Sequence, residues 1–162
     1  MIQFSYKLEG ADEFVKRFKS APQRFDATMK RFMNKAVIML QSEARKNTPV
    51  NTGLLRSSIT HEVRDVGANM LGIVGTAVAY APYVEEGSRP HWPPSAPIRY
   101  WVMRKFRVRG TELEAMTFLV KRAIARHGTK GAQMFQKAFE ATATKIGDLW
   151  VSTWSEAINK EL

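Results

Sequence analysis

The sequence predicts an α+β domain in which several helices pack a small antiparallel sheet and a long helix lies at the C-terminus. Apolar residues recur at three- and four-residue steps after Pro22 and again after Gln133, which is typical of amphipathic helices. Between these segments, Ile59, His61 and Val63 alternate with polar residues, residues 67–69 offer a turn, and residues 71–79 form a β-rich run, which predicts two strands joined as a hairpin. We find no internal repeat or long linker, so residues 1–162 are expected to form one domain.

A strand and two helices are predicted before the hairpin. Alternation over residues 2–8 predicts the strand, and Asp12 is expected to cap a short helix to about Ser20. The second helix begins at Pro22 and ends at Asn47, because the following proline disfavours α geometry in the residue before it. Its expected core stripe consists of Phe25, Met29, Phe32, Met33, Ala36, Val37, Leu40 and Ala44.

The segment after the hairpin changes character. Gly72 and Gly75 in the second strand predict a bulge or a close backbone approach. Residues 80–87 predict a single helical turn, begun by a proline and ended by a glycine. Residues 88–97 contain four prolines, so an extended and stiff loop is expected there.

Three helices are predicted in the C-terminal part. The first extends from Pro97 to about Lys105, and Thr111 with Glu114 predicts a capping box for the second, which ends before Gly128. The expected core stripe of this second helix is Leu113, Met116, Val120, Ala123, Ile124 and His127. The third helix extends from Gln133 to about Lys160 and carries two apolar stripes: Phe135, Ala138, Phe139, Thr142, Ile146 and Leu149, then Trp150, Trp154 and Ile158. We expect the second stripe to contact another subunit.

Composition excludes several classes of protein. The 162 residues include 25 basic and 15 acidic side chains, and residues 96–131 alone contain nine basic and two acidic ones. The lack of cysteine excludes disulfides, thiolate metal sites and thiol nucleophiles. The longest apolar run, residues 36–40, is too short to span a membrane, and the first residues do not resemble a signal peptide. Synthesis in the cytoplasm is therefore expected.

No motif supports catalysis. His61, His91 and His127 lack the spacing of a metal site, and neither a GxSxG elbow nor a phosphate-binding loop is present. The adjacent Glu85 and Glu86 point in different directions on a helical turn, so they need not share a site. We predict no catalytic residue, no metal, no cofactor and no enzymatic activity.

Two features remain as candidate binding sites. Arg104, Lys105, Arg107 and Arg109 lie in a basic block with interleaved aromatics, which fits either phosphates of DNA or an acidic partner protein. The proline-rich loop carries Arg89, His91, Trp92, Pro93 and Pro94, and an exposed tryptophan on a stiff loop is a good anchor in the pocket of a partner. The alternative is that Trp92 folds back over its own core.

Several motifs resemble the head–tail joining, or neck, proteins of long-tailed bacteriophages. They are Thr-Pro-Val-Asn-Thr-Gly-Leu-Leu-Arg-Ser-Ser-Ile at 48–59, Val-Gly-Thr at 74–76, Tyr-Ala-Pro-Tyr-Val-Glu-Glu-Gly-Ser at 80–88, His-Trp-Pro-Pro at 91–94 and the segments 118–120 and 123–130. The resemblance extends over roughly residues 36–140, in the same order throughout. Asn51 and Ser88 replace residues that are commonly Asp and Thr in that family.

The resemblance implies a non-enzymatic virion protein that forms a ring at the neck, between the head connector and the tail, around the channel through which DNA leaves. Its implied partners are other copies of itself and the adjacent connector and tail proteins, with DNA in the channel as an open alternative and no membrane. A sequence-nonspecific nucleic-acid-binding protein is the alternative function.

Overall fold

The computed structural model describes residues 22–67 and 69–159, so the strand and the short helix predicted before Pro22 lie outside the described residues. The structure is α+β, as predicted. In chain order the elements are α1 (Pro22–Asn47), α2 (Leu54–Ser58), β1 (Thr60–Val66), β2 (Asn69–Gly75), α3 (Ala81–Glu86), β3 (Gly87–Ser88), α4 (Ser95–Phe106), α5 (Gly110–His127), β4 (Thr129–Lys130) and α6 (Met134–Asn159). No helix in these two ranges combines the length and apolarity that crossing a bilayer requires.

The two 26-residue helices, α1 and α6, pack antiparallel. At one end the ring of Phe25 stacks on that of Trp154, with 4.9 Å between centroids. At the other end the hydroxyl oxygen of Thr48, just after α1, lies 3.4 Å from the sulfur of Met134. The bounds of both helices agree with the sequence prediction within a residue, because each carries a long apolar stripe.

The second apolar stripe of α6 faces α1 in the same chain. Trp154 is 4% exposed, and Trp150 packs edge-on against Phe32 with 5.0 Å between ring centroids. Steps of four residues advance the stripe by about 40° around the axis each time, so one apolar surface drifts along a long helix. Trp154 is thus enclosed within its own chain, and the expectation that it contacts another subunit needs correction. Trp150 and Ile158 are partly exposed.

The predicted hairpin packs against α1. β1 and β2 pair without a bulge, from Thr60 opposite Gly75 to Val66 opposite Asn69. Gly72 marks a close approach, since a Cβ there would lie 2.6 Å from a methyl carbon of Val37. The second strand ends at Gly75, four residues earlier than predicted. The main apolar cluster comprises Val37, Ala44, Leu55, Ile59, Val74, Ala81, Met134, Phe135 and Ala138.

Helix α2 was not predicted. Its five residues are too few to show a helical period, and only Leu55 is buried. Just outside the helix, Gly53 adopts a left-handed conformation with φ 90°. The Arg56 guanidinium donates to the Thr48 carbonyl oxygen at 2.9 Å, which ties this turn to the end of α1.

Helices α4 and α5 pack against each other and form a helical hairpin. Val102 and Leu113 are buried in it, at 0% and 2% exposed, and no described residue of either helix belongs to the main apolar cluster. The capping box predicted from Thr111 does not form, because α5 begins at Gly110 without a side-chain cap and Glu114 instead accepts a hydrogen bond from Arg99 at 2.6 Å. The buried stripe of α5 is Leu113, Thr117 and Lys121, whereas Ala123 and His127 of the predicted stripe are exposed.

Candidate assembly interface

The two-stranded ribbon of β3 and β4 fixes where the proline-rich loop begins. Gly87 pairs with Lys130 and Ser88 with Thr129, and the two hydroxyl oxygens of Ser88 and Thr129 lie 2.9 Å apart. A Cβ at Gly128, where φ is 70°, would overlap the carbonyl oxygen of Ser88. The end of α5 and the start of the loop therefore lie against each other, at a distance that only glycine permits.

The same region is joined to α6 by a buried carboxylate. Glu85 is 7% exposed, and its two carboxylate oxygens accept the backbone N–H groups of Phe135 at 3.1 Å and Gln136 at 3.2 Å. These donors belong to the first turn of α6, where N–H groups have no partner within the helix. The sequence pattern offered Glu85 no catalytic partner, and in the structure this carboxylate caps α6.

Trp92 rests on α5 and remains largely accessible. Its ring is 56% exposed and meets Phe118 edge-on, with 6.2 Å between centroids. The ammonium of Lys121 lies 5.0 Å from the centre of the same ring and donates to the hydroxyl of Ser95 at the start of α4. Trp92 therefore does not fold back into the main core but is held on the hairpin with more than half of its surface open.

The Trp92–Phe118 contact is flanked on α5 by an exposed leucine and an exposed arginine. We define the aromatic patch as Trp92, Phe118, Leu119 and Arg122. Phe118 and Leu119 are 54% and 59% exposed, and Arg122 lies one turn farther along the same face of α5. Such a patch, apolar at its centre and cationic at its edge, can dock a protein surface that carries apolar and acidic groups.

Leu119 was not predicted as a contact residue, and Phe118 was noted only as an aromatic interleaved in the basic block. Both lie off the apolar stripe predicted for their helix, and that mismatch was the available signal that they face outward.

The remaining residues of the proline-rich loop differ in exposure. Arg89, His91 and Pro94 are exposed, and the Nδ1 atom of His91 lies 2.9 Å from the carbonyl oxygen of Arg89. Pro93 is buried, so within one chain it supports the loop and offers no surface to a partner.

The four candidate cations come together at the far end of the helical hairpin. Arg104 and Lys105 occupy the last turn of α4, while Arg107 and Arg109 lie in the three-residue connection to α5. All four are exposed. Phe118 lies eight residues into α5, so about 12 Å of helix separates this end from the aromatic patch. The four cations and the aromatic patch are therefore separate surfaces of the α4–α5 helical hairpin.

Part of the chain matches a protein-family model. Residues 12–87 match the family of "Bacteriophage HK97-gp10, putative tail-component". This match confirms the resemblance to head–tail and tail components of phages, and it supports a structural phage protein. No curated protein and no solved structure matches the chain.

The tail-component match covers α1 to α3 and the hairpin between them, and it ends at residue 87. The resemblance noted in the sequence was expected to continue to about residue 140. The proline-rich loop, the aromatic patch and the four cations all lie beyond the matched residues. The family match therefore gives no information about the roles of these three features.

Proposed function

We propose that this chain is a non-enzymatic subunit of a ring at the phage neck, which joins the head connector to the tail around the DNA channel. The tail-component match supports a structural role in the virion. The motifs at 48–59 and 80–88, which resemble head–tail joining proteins, support a position at the neck. The chain is made in the host cytoplasm and then incorporated into the particle.

The aromatic patch is the observation that carries the ring proposal. Trp92, Phe118 and Leu119 each expose more than half of their surface although they touch or adjoin one another. Exposed apolar side chains that are contiguous and held in place mark interaction sites in soluble proteins. In a ring this patch on one copy is covered by a different surface on the next, and repetition of that heterologous contact by rotation closes the assembly.

Further contacts of the proposed ring lie on the loop and on the end of α6. Arg89, His91 and Pro94 surround Trp92 along the chain and are exposed, so they form the rim of the contact. Trp150 and Ile158 retain partial exposure and would contact a neighbouring copy or an adjacent ring. The adjoining head connector and tail proteins are the remaining partners.

Assembly of phage particles tests the proposed function. Particles made without this chain should accumulate as filled heads and separate tails in electron micrographs, and expression of the wild-type chain in trans should restore joined particles. A lysate without the chain that still contains joined, infectious particles would contradict the neck assignment.

The second candidate, a sequence-nonspecific nucleic-acid-binding protein, is favoured by the four exposed cations alone. The two functions predict different responses to salt. Ring contacts made by apolar side chains persist at high ionic strength, whereas contacts with phosphates weaken steeply. Loss of oligomers and of all function at moderate salt would favour the second candidate.

A further inference from the structure

The charged end of the α4–α5 hairpin is a compact group of side chains. We call Arg104, Lys105, Arg107 and Arg109 the cationic tip. They fall within six consecutive residues and are all exposed. Consecutive Cα atoms are about 3.8 Å apart, so the four charges lie within a span that a few neighbouring phosphates of a nucleic-acid strand also occupy.

Among the described residues, no acidic side chain neutralises the cationic tip. The ion pairs of the described residues include only one pair from the helical hairpin, Arg99 with Glu114. The α4–α5 hairpin contains two carboxylates. Glu114 forms this ion pair, and the other carboxylate is that of Glu112. Within residues 22–67 and 69–159, no tip cation forms an ion pair.

Helix stability explains only part of this cluster. Arg104 and Lys105 lie in the last turn of α4, where positive charge complements the helix dipole. Arg104 is also ordered by Tyr100, since its guanidinium carbon lies 5.6 Å from the ring centre and its NH1 donates to the phenol oxygen at 3.2 Å. The other two arginines have no such local reason.

Arg107 and Arg109 occupy positions that favour other residue types. Arg107 ends α4 in a left-handed conformation, with φ 59°, where glycine is the favoured residue. Arg109 is the N-cap of α5, where short polar side chains are favoured and cations oppose the helix dipole. Both arginines reduce helix stability, so their charges are better explained by a ligand outside the chain.

We propose that the cationic tip binds the phosphate backbone of duplex DNA, and this inference rests on the proposed position of the chain around the DNA channel. Arginine matches phosphate geometry with two parallel hydrogen bonds. Interfaces between proteins are enriched in arginine but depleted in lysine and carry little net positive charge, whereas interfaces with DNA are much more positively charged. Four cations in six residues resemble the second kind of surface, so DNA is favoured over an acidic protein.

Binding of a fluorescent duplex to the full-length protein tests this proposal. With four phosphate contacts, log K should fall against log salt with a slope of about −3.6, or about 100-fold between 50 and 200 mM salt. The double variant Arg107→Gly with Arg109→Gln should bind at least about tenfold more weakly at the lower salt, with a slope smaller by about 1.8. Because glycine is favoured at position 107, this variant should fold at least as well at that turn.

A matched control separates the tip from overall charge. Arg31→Gln with Lys35→Gln removes the same charge from two exposed positions that lie one helical turn apart on α1. This double variant should leave duplex binding nearly unchanged. Equal weakening by both double variants would overturn the proposal. Tip-dependent binding of polyglutamate without binding of duplex would also overturn it, in favour of an acidic protein partner.

The oligomeric mass of the same samples distinguishes this proposal from the ring. The tip variant should retain the wild-type mass, since the aromatic patch is intact. A monomer that still shows tip-dependent binding of the duplex would count against the ring and support the tip. A ring that binds no duplex at low salt would overturn the tip proposal and leave the ring standing.

Discussion

A single carboxylate, that of Glu85, connects the short helix α3 to the first turn of the long helix α6. The residues that it bonds are 50 and 51 positions away along the chain. A local pattern reveals a cap only when the capping residue directly precedes its helix. The sequence therefore shows two adjacent acidic residues, and only the three-dimensional arrangement distinguishes the buried Glu85 from its exposed neighbour Glu86.

Replacing this cap should destabilise the fold. We expect Glu85→Ala to lower the free energy of unfolding by about 1–2 kcal/mol, because two backbone donors near the N-terminus of α6 lose their acceptor. Urea denaturation measures the change. Glu86→Ala, one residue away and exposed, is the matched control and should shift stability by no more than about 0.5 kcal/mol. Equal losses for both variants would exclude a specific capping role.

At the scale of elements, the length and periodicity of each segment decided which ones were predictable. Long apolar stripes predicted helices α1 and α6. Alternation in the first strand, the turn residues after it and the β-rich run that follows predicted the β1–β2 hairpin. Helix α2 and the β3–β4 ribbon escaped because segments of five and two residues carry no period. Pairing of Ser88 with Thr129, 41 residues apart, depends on tertiary contact.

The α1–α6 pair should contribute most to stability at its aromatic contacts. Phe32 is 2% exposed and packs against Trp150, so we expect Phe32→Ala to cost about 3–5 kcal/mol through lost burial and the cavity that it leaves. Ile38→Ala on the same helix removes a side chain that is half exposed, and it should cost far less. Thermal and urea unfolding of both variants provide the comparison, and similar losses would contradict the described packing.

The β3–β4 ribbon, which joins the α4–α5 helical hairpin to the rest of the chain, depends on a glycine. Gly128 and Gly67 both have positive φ, at 70° and 61°, but only Gly128 has backbone atoms where a Cβ would lie. Alanine at Gly67 should cost about 1–2 kcal/mol from conformational strain alone. We expect Gly128→Ala to cost clearly more, because the Ser88 carbonyl must also move. Unfolding free energies that are equal for the two variants would show that this approach is unimportant.

At the scale of the whole molecule, the motifs that resemble phage neck proteins implied an assembly protein, but they did not locate the assembling surface. Trp92 was singled out from the proline-rich loop, whereas Trp154 proved to be enclosed. Which apolar residues remain outside after folding depends on how α4, α5 and the loop meet. The aromatic patch is therefore a property of the tertiary structure, and only one of its three apolar members was identified from the sequence.

Oligomer formation should depend on the aromatic patch. We expect Trp92→Ala with Phe118→Ala to dissociate the proposed ring into smaller species at high salt, since it removes the apolar centre of the contact. Mass measurement in solution and negative-stain imaging report the change. Tyr83→Ala, which removes an aromatic ring that is 67% exposed outside the patch, is the matched control. A ring that tolerates the double variant but not the control would place the interface elsewhere.

The contact between Gly128 and the backbone at Ser88 and Arg89 has a consequence for how such a protein can change. The stretch from residue 90 to residue 127 leaves the rest of the fold and returns to almost the same place. An excursion with neighbouring ends can be lengthened, shortened or exchanged with little effect on the framework that carries it. We therefore expect the rest of the fold to tolerate changes of length or sequence between residues 90 and 127.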